Sequence, residues 1–105
     1  MSDEPTEIDE FGTKIWKNSE GQWHRDNDLP AIIWNNGDCY WHQNGILHRD
    51  NDLPAAIWAD GCCDWWIDGK CVKVKDCTKK EIEEYKKPYY QQKRFKFDRF
   101  KHLIK

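Results

Sequence analysis

The 105-residue chain has a single methionine, four prolines and six glycines. No apolar run approaches the ~20 residues that a membrane-spanning helix needs. Its five cysteines, Cys39, Cys62, Cys63, Cys71 and Cys77, form no Cys-x-x-Cys pair, so neither zinc-ribbon nor thioredoxin spacing is present. There is no glycine-rich phosphate loop. Met1–Glu10 is acidic and lacks the basic lead and apolar stretch of a secretory signal. These absences lead to the expectation of an intracellular protein, neither secreted nor transmembrane, with reduced thiols.

What the chain has in excess is tryptophan, seven residues of it, the natural core material of a small domain. Charge is also unevenly spread. Residues 1–78 carry 7 basic and 15 acidic side chains, whereas residues 79–105 carry 10 basic and 4 acidic. Ends of opposite sign suit pairing with each other or with separate partners.

An internal repeat dominates everything else. His-Arg-Asp-Asn-Asp-Leu-Pro-Ala occurs at His24–Ala31 and again at His48–Ala55, an offset of 24. The blocks Gly21–Asn44 and Gly45–Asp68 are identical at 14 of 24 positions. Such a period marks a repeat architecture. Asn36-Gly37, Asn44-Gly45, Asp60-Gly61 and Asp68-Gly69 read as two-residue type I′ turns between short runs rich in Trp, Ile, Tyr and Val.

Those turns set an expected register. Trp34 should face Cys39 and Ile32 face Trp41. Trp58 should face Cys63, and Trp41 face His48. Trp65 should face Val72 and Cys63 face Val74. One sheet face then collects Ile32, Trp34, Cys39, Trp41, His48, Trp58, Cys63, Trp65, Ile67, Val72 and Val74 as the core. The opposite face collects Trp23, Ile33, Tyr40, His42, Leu47, Ile57 and Trp66. An apolar stripe of that length needs a cover, which makes it the candidate interaction face. The protein's own C-terminal helix, a second copy or another partner could supply it. Arg25 and Arg49 fall opposite the core by the same counting, free to pair with nearby Asp residues.

Gly12–Glu20 reads as a partial repeat with one extra residue before Gly21, so a bulge there would seat Trp16 beside His24. After the second block the motif decays: Val72 and Lys73 replace the His-Arg step. Thr78-Lys79-Lys80-Glu81 fits a capping box that opens a helix over 79–87, and Pro88 ends it or restarts it. The organisation expected is an acidic flexible N-terminus (1–10), a β-repeat domain (11–77) and a basic aromatic C-terminal helix (78–105).

Several sharper chemistries fail on spacing. A kinase catalytic loop needs Asn five residues after the Asp of His-Arg-Asp, and Ala31 and Ala55 stand there. His24 and His48 point toward a Trp-lined interior with no thiol or carboxylate cluster to complete a metal site. Asp26-Asn27-Asp28 and its copy at Asp50–Asp52 lack the central Gly and distant Glu of an EF-hand. No Cys has a base in reach. No catalytic residue, metal site, cofactor or small-molecule substrate is expected.

The Gly-x-x-His-Arg block, the Leu-Pro-Ala turn and the Trp-x-x-x-Gly link resemble the MORN-repeat group of β-hairpin repeats. The form with His24, Arg25, Asp26, Asp28 and Pro30, repeated as His48, Arg49, Asp50, Asp52 and Pro54, is similar to the divergent repeats of giant DNA viruses, marseillevirus-like ones in particular. It departs from the usual MORN pattern in having Arg after the His and a period of 24. The resemblance implies a mainly β fold, an antiparallel hairpin meander with a C-terminal α-helix. It also implies a non-enzymatic protein–protein interaction or scaffold module, with a homodimer among its expected assemblies, working in the host cytoplasm or viral factory. Two alternatives rest on the tail, where Lys93, Arg94, Lys96, Arg99 and Lys101 are interleaved with aromatics: a peripheral membrane or phospholipid binder, or a nucleic-acid-binding accessory protein.

Overall fold

A computed structural model describes residues 4–87. Among the described residues the chain is mainly β. The strands are β1 (Glu7–Ile8), β2 (Lys14–Ile15), β3 (Ile32–Ile33), β4 (Cys39–Tyr40), β5 (His42–Gln43), β6 (Ile46–Leu47), β7 (Ala56–Ile57), β8 (Cys62–Ile67) and β9 (Lys70–Asp76). One short helix follows, α1 (Lys79–Tyr85). Seven strands pair antiparallel in the order β1-β2-β3-β4-β7-β8-β9, and β5-β6 form a separate hairpin. The acidic lead-in expected to hang loose places Glu7 and Ile8 opposite Ile15 and Lys14.

Two kinds of turn alternate, and they decide which side chains share a face. At Asn44-Gly45 and Asp68-Gly69 both residues have positive φ, 53° and 84°, then 51° and 81°, as a type I′ turn requires. The first turn gives the expected register, with His48 N–H donating to the Trp41 carbonyl at 3.0 Å. At Asn36-Gly37 and Asp60-Gly61 only the glycine is left-handed, at 101° and 100°. Gly37 N–H donates to the Trp34 carbonyl and Trp34 N–H to the Asp38 carbonyl; Gly61, Trp58 and Cys62 repeat the pattern. These are three-residue loops, a type I turn closed by a left-handed glycine. The side chains hold them in that form, since Asn36 Oδ1 accepts from Asp38 N–H and Asp60 Oδ1 from Cys62 N–H, each at 3.0 Å.

The extra loop residue slips the register by one, and a one-residue slip exchanges faces. Ile33, not Trp34, stands opposite Cys39, and Ile32 opposite Tyr40. Ile57 stands opposite Cys63 and Ala56 opposite Asp64. A bulge between Trp65 and Trp66 shifts the last pair too, setting Trp65 against Lys73, Asp64 against Val74 and Cys63 against Lys75. The expected core is corrected accordingly. Ile32, Cys39, Trp41, Cys63 and Trp65 are buried, but Trp34, Ile67, Val72 and Val74 are exposed. His48 and Trp58 are half-buried. In the partial repeat the expected arrangement is present: Asn18 and Gly21 close the longer loop, and His24 N–H donates to the Trp16 carbonyl at 3.0 Å.

Arg25 and Arg49, expected on the outer face, are buried. The Arg25 guanidinium lies 3.8 Å from the centroid of Trp16, and that of Arg49 4.0 Å from the centroid of Trp41. Arg49 forks onto Asp28, Nε to Oδ1 at 2.8 Å and Nη2 to Oδ2 at 3.1 Å. It also donates to the carbonyls of Pro54 (3.1 Å) and Tyr85 (2.6 Å). The loop that presents Asp28 turns through two left-handed residues, Asn27 (65°) and Asp28 (57°), copied at Asn51 and Asp52. Its carbonyl end is pinned by indole N–H groups: Trp41 Nε1 donates to the Asp28 carbonyl and Trp65 Nε1 to that of Asp52. Where a third Arg would stand, Lys73 Nζ sits 4.6 Å from the Trp65 centroid.

Helix α1 begins with the expected capping box: Thr78 Oγ1 accepts from Glu81 N–H, and Glu81 Oε1 accepts from Thr78 N–H. Seven residues are too few for an isolated helix, so packing holds it. Ile82 and Tyr85 rest on the cluster of Cys39, Ile57, Cys63 and Trp65. The Tyr85 ring meets Trp65 edge-on at 5.7 Å.

The arginine contacts predict opposite outcomes for two exchanges. Arg49→Lys should cost about 2–4 kcal/mol, because a lysine cannot fork onto Asp28 while reaching two carbonyls. Lys73→Arg should add about 0.5–1 kcal/mol by restoring a stacked guanidinium over Trp65. Urea midpoints of the two variants measure both. A second prediction concerns acid. The Lys75 ammonium (2.6 Å) and then the Thr78 backbone N–H hold the Glu81 carboxyl down at about 2, from an ordinary 4.5. A depressed acid contributes stability that is complete above its unfolded pKa and lost as pH falls through the folded one. The near-UV dichroism of the Trp65–Tyr85 contact should therefore decline between pH 4.5 and about 2, and Glu81→Gln should remove that slope.

Candidate interaction face

Strand alternation sorts the sheet into two faces. Ile33, Cys39, Ile57, Cys63 and Lys75 share one, through pairings that run across β3, β4, β7, β8 and β9. Ile32, Tyr40, Ala56, Asp64 and Val74 share the other by the same pairings. The first face lies under α1. The expected interaction set therefore divides. Ile33 and Ile57 belong to the covered face, and Leu47 and Trp66 pack against its core. Tyr40, His42 and Trp23 stay together on the other side. They are joined there by Trp34 and Trp58, which the type I′ reading had assigned to the core.

The rings form a connected series of edge-to-face contacts. Tyr40 meets Trp58 at 5.3 Å and 72°, and Trp34 at 6.0 Å and 69°. His42 meets Tyr40 at 6.5 Å and Trp23 at 5.2 Å. Such geometry sets a positive ring edge against a negative ring face and fixes the rings relative to one another. Trp23 and Trp34 are 42% and 39% exposed, large values for the most apolar surface a chain can offer. Ile32 and Ala56 at the centre are buried.

Acids surround the rings. Asp64 Oδ2 accepts from Trp58 Nε1 at 3.3 Å. Asp38 is buried and accepts from Ala59 N–H at 2.6 Å and Asn36 Nδ2 at 3.2 Å. Burial, and then the charges of Asp38 and Asp64, push the Tyr40 hydroxyl above its ordinary pKa. Burial holds the His42 imidazole below its usual value, so the ring is neutral at pH 7. His42 Nδ1 and Trp66 Nε1 are buried without hydrogen-bond partners among the described residues, and they occupy equivalent positions 24 apart.

The repeat-motif residues serve the fold. The Asn44 N–H donates to His24 Nδ1 and the Asp68 N–H to His48 Nδ1. That acceptor role leaves the proton on Nε2, which faces Asp26 at 2.9 Å and Asp50 at 2.7 Å. Arg25 and Arg49 each reach a proline carbonyl, Pro30 and Pro54, at 3.1 Å. A recess of about 170 Å³ lies between the loops, lined by Asp26, Asp28, Trp41, His48, Arg49 and Asp50 among others. Its three carboxylates are committed, Asp26 to His24, Asp28 to Arg49 and Asp50 to His48. No cluster of His, Cys, Asp or Glu suited to a metal occurs among the described residues. The basic tail residues Lys93, Arg94, Lys96, Arg99 and Lys101 lie outside the described residues.

Sequence reasoning missed Trp34, Trp58 and Asp64. The signal lay in the loops. Asn36 and Asp60 each stand two residues before a backbone N–H that their side chains accept, and this favours the type I form. Comparisons with protein-family models, curated proteins and solved structures found no match.

The thiols yield a prediction. Burial raises the Cys39 pKa, opposed by Lys86, and burial followed by the Cys77 thiol raises that of Cys63. Both are poor nucleophiles. A thiol-specific chromogenic reagent should label exposed Cys71 first and reach Cys39 and Cys63 only on unfolding; mass spectrometry of labelled peptides gives the order.

Proposed function

We propose that the protein is a non-enzymatic protein–protein interaction module, a MORN-type repeat scaffold of the sort its 24-residue motif resembles. The observation that carries this reading is the aromatic face of Trp23, Trp34, Tyr40, His42 and Trp58. It pairs exposed indoles with a rigid edge-to-face arrangement. Aromatic anchors of this kind dominate binding energy at protein interfaces. The motif residues favour the same reading, because His24, His48, Arg25 and Arg49 spend their polar groups inside the repeats. Self-association through this face belongs to the same reading.

Affinity capture with the intact chain and with Trp34→Ala tests it. Trp34 is exposed, so the variant should keep its melting temperature while losing partners that the parent retains. Retention of the same partners by Trp34→Ala would reject the face as the working surface.

A further inference from the structure

Within this protein an arginine is held by a fixed pair of groups: an indole face and a carboxylate. Arg49 lies 4.0 Å from the Trp41 centroid and forks onto Asp28. The aromatic face offers the same pair without the cation. Tyr40 and Trp58 supply rings in contact at 5.3 Å, and Asp64 supplies a carboxylate 3.3 Å from the Trp58 Nε1. Register places Tyr40 and Asp64 on either side of the buried Ala56. Among the described residues, cations lie over Trp16, Trp41 and Trp65, and none lies over Trp23, Trp34 or Trp58. No cation of the described residues pairs with Asp64, whose partners are the neutral Trp58 Nε1 and Cys62 Sγ.

The repeat itself makes this place distinct. Tyr40 and Asp64 are equivalent positions 24 apart, and so are Trp34 and Trp58. Two identical repeats would set like against like across Ala56; this chain sets a ring against a carboxylate. A second cue is the neighbouring charge. Asp38 and Asp76 join Asp64 on this side by register, through the Cys39–Ile57 and Cys62–Asp76 pairings.

Building on the proposed interaction function, we infer that this face docks an arginine-bearing cationic segment of a partner protein, the guanidinium stacking on the Trp58 ring beside Tyr40 and donating to Asp64. Guanidinium suits the site better than ammonium. It is planar, stacks on aromatic faces and presents its donors as a fork to a carboxylate.

The test uses the full chain with its tryptophans labelled for NMR. Short Gly–Ser peptides carrying arginine, lysine, citrulline, glutamate or leucine are titrated in turn. The arginine peptide should shift the Trp34 and Trp58 indole signals and leave Trp16 and Trp41 in place. Its affinity should exceed that of the lysine peptide and fall with salt. Asp64→Asn, isosteric and checked by its melting temperature, should weaken binding about tenfold. Trp34→Ala serves as the second variant. Equal binding of citrulline and arginine, or unchanged binding by Asp64→Asn, overturns the assignment of the cation. If only glutamate or leucine peptides shift Trp34 and Trp58, the interaction face stands and the arginine assignment falls. If no peptide of any class moves them, both fall. If Arg94→Gln and Arg99→Gln move those signals with no peptide present, the occupant is this chain's own tail, and docking of a partner is rejected.

Discussion

Arg49 is the residue on which the assembly of the repeats depends. Seven of the nine strands, β1 to β7, contribute two residues each and are too short to hold a neighbour by ladder bonds alone. Cohesion must come from elsewhere, and Arg49 supplies it. One guanidinium touches the indole of Trp41, the carboxylate of Asp28 from the preceding repeat, the carbonyl of Pro54 in its own loop, and the last carbonyl region of α1 through Tyr85. Burying a charge is costly, and an ion pair repays it only with good geometry and further hydrogen bonds to the remaining donors. Here the fork and the two carbonyls take four N–H groups of the guanidinium, and the Trp41 ring covers its face. The stations on either side are variations. Arg25 stacks on Trp16 before it, and Lys73 lies over Trp65 after it, exposed and without the fork. The array thus weakens toward β9, where Lys70, Lys73 and Lys75 alternate along an edge strand and oppose pairing with another edge.

The two sheet faces meet different ends because α1 covers one of them. Its capping box sets where the helix starts, and Ile82 and Tyr85 then close over thiols and isoleucine that would otherwise be wet. The burial leaves Cys39 and Cys63 as packing groups rather than nucleophiles. On the other face the same repeat geometry leaves tryptophan rings partly in solvent. Rings locked edge-to-face lose little freedom when something docks, so such a surface binds at low entropic cost. Symmetry breaking matters as much as exposure: the replacement of a ring by Asp64 converts a row of like residues into a ring–carboxylate pair.

The candidate site was partly legible. Trp23, Tyr40 and His42 were singled out from alternation alone and do stand together. Two-residue loops at Asn36-Gly37 and Asp60-Gly61 would set Ile33 and Ile57 beside them, but the three-residue loops put both beneath α1. The same one-residue slip turns Trp34 and Trp58 from the expected core face to the outer one. Arg25 and Arg49 were missed as interior residues for a different reason. Residue type predicts solvent for a guanidinium, and only a ring, a carboxylate and carbonyls brought together from three segments make burial tolerable.

By itself the sequence determined where the chain turns, that two of its blocks recur at an offset of 24 residues, and where the helix begins. These follow from local chemistry: glycine after Asn or Asp, two copies of one octapeptide, Thr three residues before Glu. What tertiary structure decided is which turn each site adopts. Asn-Gly occurs at 36–37 and at 44–45 and takes a different form at each. At Asn44 the backbone N–H is claimed by His24 Nδ1, twenty residues away, in a turn whose two residues are both left-handed. At Asn36 the side chain instead accepts the Asp38 N–H, and the residue stays right-handed. The dipeptide tolerates both conformations at similar cost, so a contact from another part of the chain tips the balance. Through the register that follows, it also sets which face the tryptophans present.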